Sequence, residues 1–243
     1  MILERIDPNT EGEAQKLTRL EHLVRYNKSL EFLNERSIVL DAGCGCGYGS
    51  AMLAQHSSKV IAIDNSPDAI NYAIKNYPRN NIDYCIGDLE NVDLNPFGKF
   101  DLITFFEVIE HLHKPEAALK NFREHISPKG YLLLSTPNSE CSIGCNPYHI
   151  REYTKRELEE LLSKNGFKVK QILGQGYYTK GLTDFIKKSI GLKPEVNLTE
   201  QIPRGCEIQS KLHKLSLLTK KARYFYFIAQ PSKPLHLTLS WDS

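Results

Sequence analysis

Residues Ile38 to Leu53, IVLDAGCGCGYGSAML, pass from an apolar run into alternating glycines and back to small and apolar residues. Gly43, Gly45 and Gly47 sit two apart, with Asp41 just ahead of them. A glycine turn from a strand into a helix brings backbone N–H groups toward a ligand with no Cβ in the way. The dinucleotide fingerprint is G-x-G-x-x-G. The spacing here is G-x-G-x-G, and no triplet that includes Gly49 restores the fingerprint. A carboxylate at the mouth of a pyrophosphate site would repel its ligand. Asp41 suits a ligand that carries an ammonium or sulfonium charge.

Two more acids follow at matching places. Asp64 closes the apolar run VIAID and can accept both ribose hydroxyls of a nucleoside. It could also cap the next helix, but Ser66 already supplies that cap. Asp88, in IGDLEN, lies where it could accept from an adenine amino group. Three carboxylates at three successive strand ends outline an adenosine with a cationic tail.

The elements that must position these residues alternate. The spacing of Leu17, Leu20, Val24, Leu30 and Leu33 predicts a helix over 11–36. Strands are expected at 37–42, 59–65, 82–88, 100–107, 130–137, 168–175 and 223–230. Helices are expected at 48–56, from Ser66-Pro67 onward, at 116–126 and at 154–167. Ser127-Pro128-Lys129-Gly130 reads as the turn into the fifth strand. Such alternation predicts an α/β fold with a mostly parallel, doubly wound sheet. Ligands of these sheets bind at the carboxyl ends of the strands, where all three acids fall.

The chain has 243 residues, enough for one domain with a real core. A hydrophobic share of 41% and a charged share of 25% are those of a globular protein. A net charge of +2 gives no general electrostatic case for nucleic acid. No apolar run is long enough to span a membrane, and the acidic N-terminus does not read as a signal peptide. A cytoplasmic protein with reduced thiols is expected. The domain reading is a single unit over 1–243, with a helical cap at 1–36 and a helical insertion at 176–222 that would shape an acceptor site. The tail after residue 230 is left without an assignment.

VLDAGCGCGYGS, VIAIDNS, IGDLEN, FDLITFFEVIEHL and GYLLLSTPN, in this order, resemble the successive motifs of class I S-adenosylmethionine-dependent methyltransferases. The resemblance runs from about residue 20 to 175. It implies a Rossmann-like seven-stranded sheet whose last strand is antiparallel, and in-line transfer of a sulfonium methyl to a nucleophile. It places Tyr26, Asp41, Gly43, Gly45, Gly47, Asp64, Asn65, Asp88, Leu89 and Glu107 around the cofactor, with Glu107 near the sulfonium. EHLVRYNKSLEFL and NPYHIREYTKRELEELL are similar to bacterial methyltransferases of surface-glycan and natural-product pathways. That similarity implies a small-molecule or sugar hydroxyl as acceptor. His22, Arg25 and Tyr26 would line the cofactor or acceptor mouth, or merely pack on the sheet.

A hydroxyl acceptor benefits from a general base, and histidine suits that role near neutral pH. His111 or His149 is expected to be that base. Glu107, Glu110, His111 and His149 also match the ligand set of certain magnesium- or manganese-using relatives, among them RNA 3′-end methyltransferases and catechol-type quinone-pathway enzymes. EVIEHL also occurs in the family without a metal, and no metal is assigned here. An RNA acceptor is the alternative, supported by Lys220, Lys221 and Arg223 ahead of Tyr224 to Phe227. A non-catalytic cofactor-binding domain is the third reading.

Overall fold

The computed structural model describes residues 16–142, 146–177 and 222–232. Seven strands form one sheet: β1 (Ile38–Ala42), β2 (Lys59–Asp64), β3 (Ile82–Ile86), β4 (Phe100–Phe106), β5 (Ile126–Pro137), β6 (Phe167–Tyr177) and β7 (Ala222–Pro231). Their order across the sheet is β3-β2-β1-β4-β5-β7-β6. Strands β1 to β5 pair in parallel, and β7 runs antiparallel to both β5 and β6. The expected seven-stranded sheet with an antiparallel last strand is therefore observed.

Both faces of the sheet are covered, which is why its strands read as near-continuous apolar runs. Side chains alternate between the faces. Leu40 and Ile63 join Phe105, Phe122 and Leu158 under α4 (Pro115–His125) and α5 (Lys155–Lys164). Val39 and Ala62 join Tyr26, Tyr48 and Tyr226 under α1 (Lys16–Ser29) and α2 (Tyr48–Leu53). A third helix, α3 (Pro67–Asn76), starts with Ser66 accepting from the Ala69 N–H and with proline in its first turn.

Several boundaries differ from expectation. The first helix stops at Ser29, and a short 3-10 turn, Leu30–Phe32, leads to an extended Leu33. Helix α2 ends at Leu53 instead of continuing to His56, because the N–H groups of Gln55 and His56 bond three residues back. Strand β5 begins at Ile126, so the expected turn at 127–130 lies inside the strand. There the pairing with β4 jumps from Phe100↔Ile126 to Leu102↔Tyr131, a bulge that absorbs the extra residues. Residues 176, 177 and 222, expected in the insertion, belong to β6 and β7. Residues 178–221, and with them the expected helical insertion, lie outside the described residues. So do residues 1–15 of the expected cap and 233–243 of the tail.

Antiparallel β7 brings its amino end to the carboxyl edge of the parallel strands. Pro137 and Gln175 both lie opposite Tyr224. Tyr224 and Gln175 thereby reach the edge that carries the three acids.

Helix α5 fixes the loop that precedes it. The Thr154 side chain accepts from the Glu157 N–H, and the Glu157 carboxylate accepts from the Thr154 N–H, a capping box. Thr154→Ala should cost about 1 kcal/mol and lower Tm by roughly 2–4 °C, while Thr154→Ser stays close to wild type. Thermal unfolding of the two variants checks this.

Candidate active site

The glycine turn has left-handed backbone at all three positions, with φ of 81° at Gly43, 53° at Gly45 and 84° at Gly47. The reasons for glycine differ. A Cβ on Gly43 would lie 2.2 Å from Val108 Cγ2, so the protein's own β4 loop excludes a side chain. A Cβ on Gly45 would meet nothing within 4 Å, so the turn opens to free space here. Four of the turn's N–H groups are used within the protein itself. Gly43 and Cys44 donate to Ile63 O, Gly45 donates to Asp64 Oδ2 at 2.9 Å, and Gly47 donates to Cys44 O. Those N–H groups hold the turn together, and the glycines contribute close approach.

Asp41 is 1% exposed and turned inward. It accepts from Ser50 Oγ at 2.6 Å, Thr104 Oγ1 at 2.7 Å and Tyr26 OH at 3.1 Å. Burial pushes its carboxyl above the usual range, against the pull of those three hydroxyls. Asp41 therefore organises the turn and its neighbours, where an open carboxylate at the mouth was expected. Tyr26 is buried beside it, its ring edge-on to Tyr48 and Phe106.

Asp64 is nearly buried at the end of β2, with Oδ2 on Gly45 N and Oδ1 on Ser66 N. It thus locks the glycine turn to the next one. Asn65 beside it is exposed. Asp88 is exposed and folds an Asx turn, accepting from Glu90 N at 2.9 Å and Asn91 Nδ2 at 2.6 Å. Leu89 is buried next to it.

Glu107 has a φ of 55°, the one positive value outside glycine among the described residues. That conformation costs roughly 1–2 kcal/mol and persists because the surroundings over-determine it. Glu107 N donates to Ser135 O, and Glu107 Oε1 accepts from Ser135 Oγ at 2.7 Å. The same oxygen lies 3.0 Å from Arg25 Nη1. Arg25 is 1% exposed, and its Nε donates to Gln175 Oε1 at 2.6 Å. Its guanidinium carbon stands 4.9 Å over the Tyr224 ring. Gln175 Nε2 reaches Glu21 O at 2.7 Å, and so clamps α1 to β6.

Glu110, His111 and His149 come together, with one ligand atom of each within 4.8 Å of the others. The two imidazole rings are 5.0 Å apart and edge-on. His111 Nδ1 lies 3.0 Å from Tyr148 O, and His149 Nδ1 lies 2.6 Å from Glu152 Oε1. A carbonyl and a carboxylate only accept, so both Nδ1 atoms carry a proton, and in the neutral rings Nε2 is the atom with the lone pair. Asn146 Nδ2 lies 2.8 Å from that lone pair on His149. Glu110 is fully buried, accepts from Thr136 Oγ1 at 3.0 Å, and keeps Oε1 without a partner. Burial, and then the charge of Glu107, hold it well above the usual carboxylate range.

A methyltransferase-domain family profile matches residues 14–172. The chain belongs to the class I S-adenosylmethionine-dependent methyltransferases. A protein of Mycolicibacterium smegmatis named "Probable S-adenosylmethionine-dependent methyltransferase" is 37% identical over 141 residues, covering 56% of this chain and 54% of its own length. The chain thus spans about half the length of that relative. The ubiquinone biosynthesis O-methyltransferase of Rickettsia typhi is 30% identical over 192 residues, covering 68% of this chain and 76% of its own. Among solved structures, the TehB-like S-adenosylmethionine-dependent methyltransferase of Corynebacterium glutamicum superposes with a TM-score of 0.57 at 18% identity, covering 90% of this chain and 96% of that one. That likeness concerns the fold.

The methyltransferase site fits its cofactor on two features. Gly45 opens onto free space, and Arg25 Nη2 is a buried cation donor with no hydrogen-bond partner. The geometry splits the expected acidic and histidine set. Glu107 belongs to Arg25, while Glu110, His111 and His149 form their own group. Among the described residues that group can take a divalent cation, with two imidazole nitrogens and an orphaned carboxyl oxygen as donors. Sequence reasoning passed over Glu21, Gln175, Thr136 and Glu152. Only the tertiary pairing singles them out from other polar residues.

Asp64→Ala should weaken S-adenosylhomocysteine binding tenfold or more. It removes the carboxylate anchor of the Gly45 turn as well as any direct contact, and charged hydrogen bonds are worth about 1.5–3 kcal/mol each. Calorimetric titration of the variant reads this directly.

Glu21 makes a second prediction. It is 1% exposed, and burial raises its carboxyl to about 7, offset in part by Arg25 and Arg223. A folded-state value above the unfolded one means that the protonated form is favoured in the fold. Stability is then lost as pH rises from about 4.5 toward 7. Glu21→Gln should remove that loss, for a gain of roughly 3 kcal/mol at most at pH 8 and little at pH 4.5. Urea unfolding of both proteins at the two pH values measures the difference.

Proposed function

We propose that this protein methylates a hydroxyl oxygen of a small molecule or sugar, with His149 as the general base. The cofactor supplies a methyl group made electrophilic by its sulfonium. Gly45 and the surrounding turn receive it, Asp64 takes the ribose, and Asp88 with Leu89 borders the adenine. Arg25 receives the carboxylate of its amino-acid end, and Glu107 faces its cationic part.

The observation that carries the oxygen acceptor is the Glu152–His149 pair. The carboxylate holds the Nδ1 proton and stabilises the imidazolium that forms when Nε2 takes the acceptor's proton. An amine that is already deprotonated in solution needs no such device. Asn146 Nδ2 occupies the Nε2 lone pair in this structure and must yield to the acceptor hydroxyl. His111, 5.0 Å away between ring centres, orients the acceptor. The similarity to a ubiquinone biosynthesis O-methyltransferase supports oxygen as the methylated atom.

The Glu110, His111 and His149 group favours a second reading. In it a divalent cation held by these residues lowers the pKa of the acceptor hydroxyl. Lys220 and Lys221, which suggested the RNA reading, lie outside the described residues. Glu110, His111 and the paired His149 argue for chemistry over a non-catalytic domain.

If His149 is the base, His149→Ala lowers kcat by ~10²–10⁴ and leaves S-adenosylhomocysteine affinity nearly unchanged, because the loss falls on the transition state. Prolonged chelation then leaves turnover intact. Turnover lost to chelation and restored by magnesium or manganese would transfer the role to the cation. A near-normal kcat in His149→Ala without metal dependence would overturn both readings.

A further inference from the structure

Asn146-Pro147-Tyr148-His149 has the residue types of a tight turn, with asparagine first and proline second. The structure shows that turn closed. His149 N donates to Asn146 O at 3.3 Å, and Tyr148 N donates to Asn146 Oδ1 at 3.0 Å. With Oδ1 committed to a backbone N–H, the other end of the amide is the NH2 group. It lies 2.8 Å from His149 Nε2. A short turn thus sets an amide donor against the atom that would take the acceptor's proton.

The turn is also held from outside. Tyr148 O lies 3.0 Å from His111 Nδ1, and Glu110 O accepts from Ile150 N and Arg151 N. Glu152 Oε1 fixes the other nitrogen of the His149 ring at 2.6 Å. Donor and base are therefore both in place before an acceptor arrives, and dipoles placed in advance cost no reorganisation during reaction. The residue type at 146 carries the argument further. Aspartate and serine also start such turns. A carboxylate would only accept, and a serine hydroxyl is too short to reach the ring while it holds Tyr148 N. Of these turn formers, asparagine is the one that closes the turn and still offers an N–H to the site.

We infer that Asn146 is a further catalytic residue, whose side-chain N–H donates to the acceptor oxygen while His149 takes that oxygen's proton. The inference rests on the O-methyltransferase reading with His149 as base, and adds the group that stabilises the oxygen. The hydroxyl enters between Nδ2 and Nε2 by a side-chain shift of the kind common on binding. It then donates to the imidazole and accepts from the amide. Its O–H bond breaks and the proton goes to Nε2. An oxygen electron pair forms the bond to the methyl carbon, while the electron pair of the broken carbon–sulfur bond stays on sulfur. The imidazolium keeps Glu152 as its counter-charge and later passes its proton to solvent. The oxygen is more negative as the proton leaves than it was in the hydroxyl. The amide's hydrogen bond is therefore stronger in the transition state than in the ground state, which is the condition for catalysis.

The test uses the full chain saturated with S-adenosylhomocysteine, with 4-nitrocatechol as probe, because its neutral and ionised forms differ in visible absorbance. Bound to wild type, the probe should be ionised to a greater extent than free probe at the same pH. Asn146→Ala and Asn146→Ser should both weaken binding of the ionised probe about tenfold or more and keep S-adenosylhomocysteine affinity within about twofold. With S-adenosylmethionine in its place, both should lower kcat for methyl transfer to the probe by ~10²-fold. The serine variant separates the donor from the turn, since its hydroxyl can hold Tyr148 N without reaching the imidazole. No binding of the probe to wild type, no gain in its ionisation, or an Asn146→Ser variant that matches wild type overturns the inference. The underlying reading fails separately. Ionised probe held through Asn146 with no methyl transfer to it would retain the Asn146 donor and refute O-methylation of this class. Methyl transfer lost in His149→Ala and intact in both Asn146 variants would do the reverse.

Discussion

The buried carboxylate of Asp41 is the interaction on which the rest of the site depends. Its two oxygens collect hydroxyls from α1, α2 and β4, through Tyr26, Ser50 and Thr104. A carboxylate so far from water is costly unless its hydrogen bonds are made, and here three are made at once. Removing any one donor would leave part of the charge bare. The result is that the helix over the crevice, the helix after the glycine turn and the central strand are held in one relative position. Asp64 then repeats the device one strand over, using backbone N–H groups of Gly45 and Ser66 in place of hydroxyls.

Around this anchor the site separates into two polar groups with different chemistry. Arg25 gathers Glu107, Gln175 and the Tyr224 ring into a nearly neutral cluster under α1. Glu110, His111 and His149 form the other, joined to the loop after β5 by the Glu110 carbonyl accepting from Ile150 and Arg151. Glu107 and Glu110 lie close enough that the charge on one raises the proton affinity of the other. Pairing Glu107 with Arg25 tempers that repulsion. It leaves Glu110 as the neutral or metal-binding member of the pair.

The strand and helix alternation was legible because both faces of the sheet are covered, so the strands appear as unbroken apolar runs between glycine and proline signals. Asp41, Asp64, Asp88 and Glu107 were legible as residues at strand ends. Their partners were not. Asp41 was expected to face a ligand and faces three hydroxyls, because nothing local shows that Tyr26, Ser50 and Thr104 converge on it. Glu107, Glu110, His111 and His149 read as one set in sequence, and Arg25 divides them.

By itself, then, the sequence determined the doubly wound sheet, the glycine turn and the acids that end its strands. These follow from periodicity, from the absence of Cβ atoms and from turn chemistry within a few residues. Tertiary structure alone decided what those residues touch. Antiparallel β7 carries Tyr224 to the carboxyl edge, Gln175 meets Arg25 across 150 residues of chain, and Glu152 fixes the proton on His149. Pairings of this kind depend on long-range register and on burial, which set the energy of a polar contact and leave no local pattern in the chain.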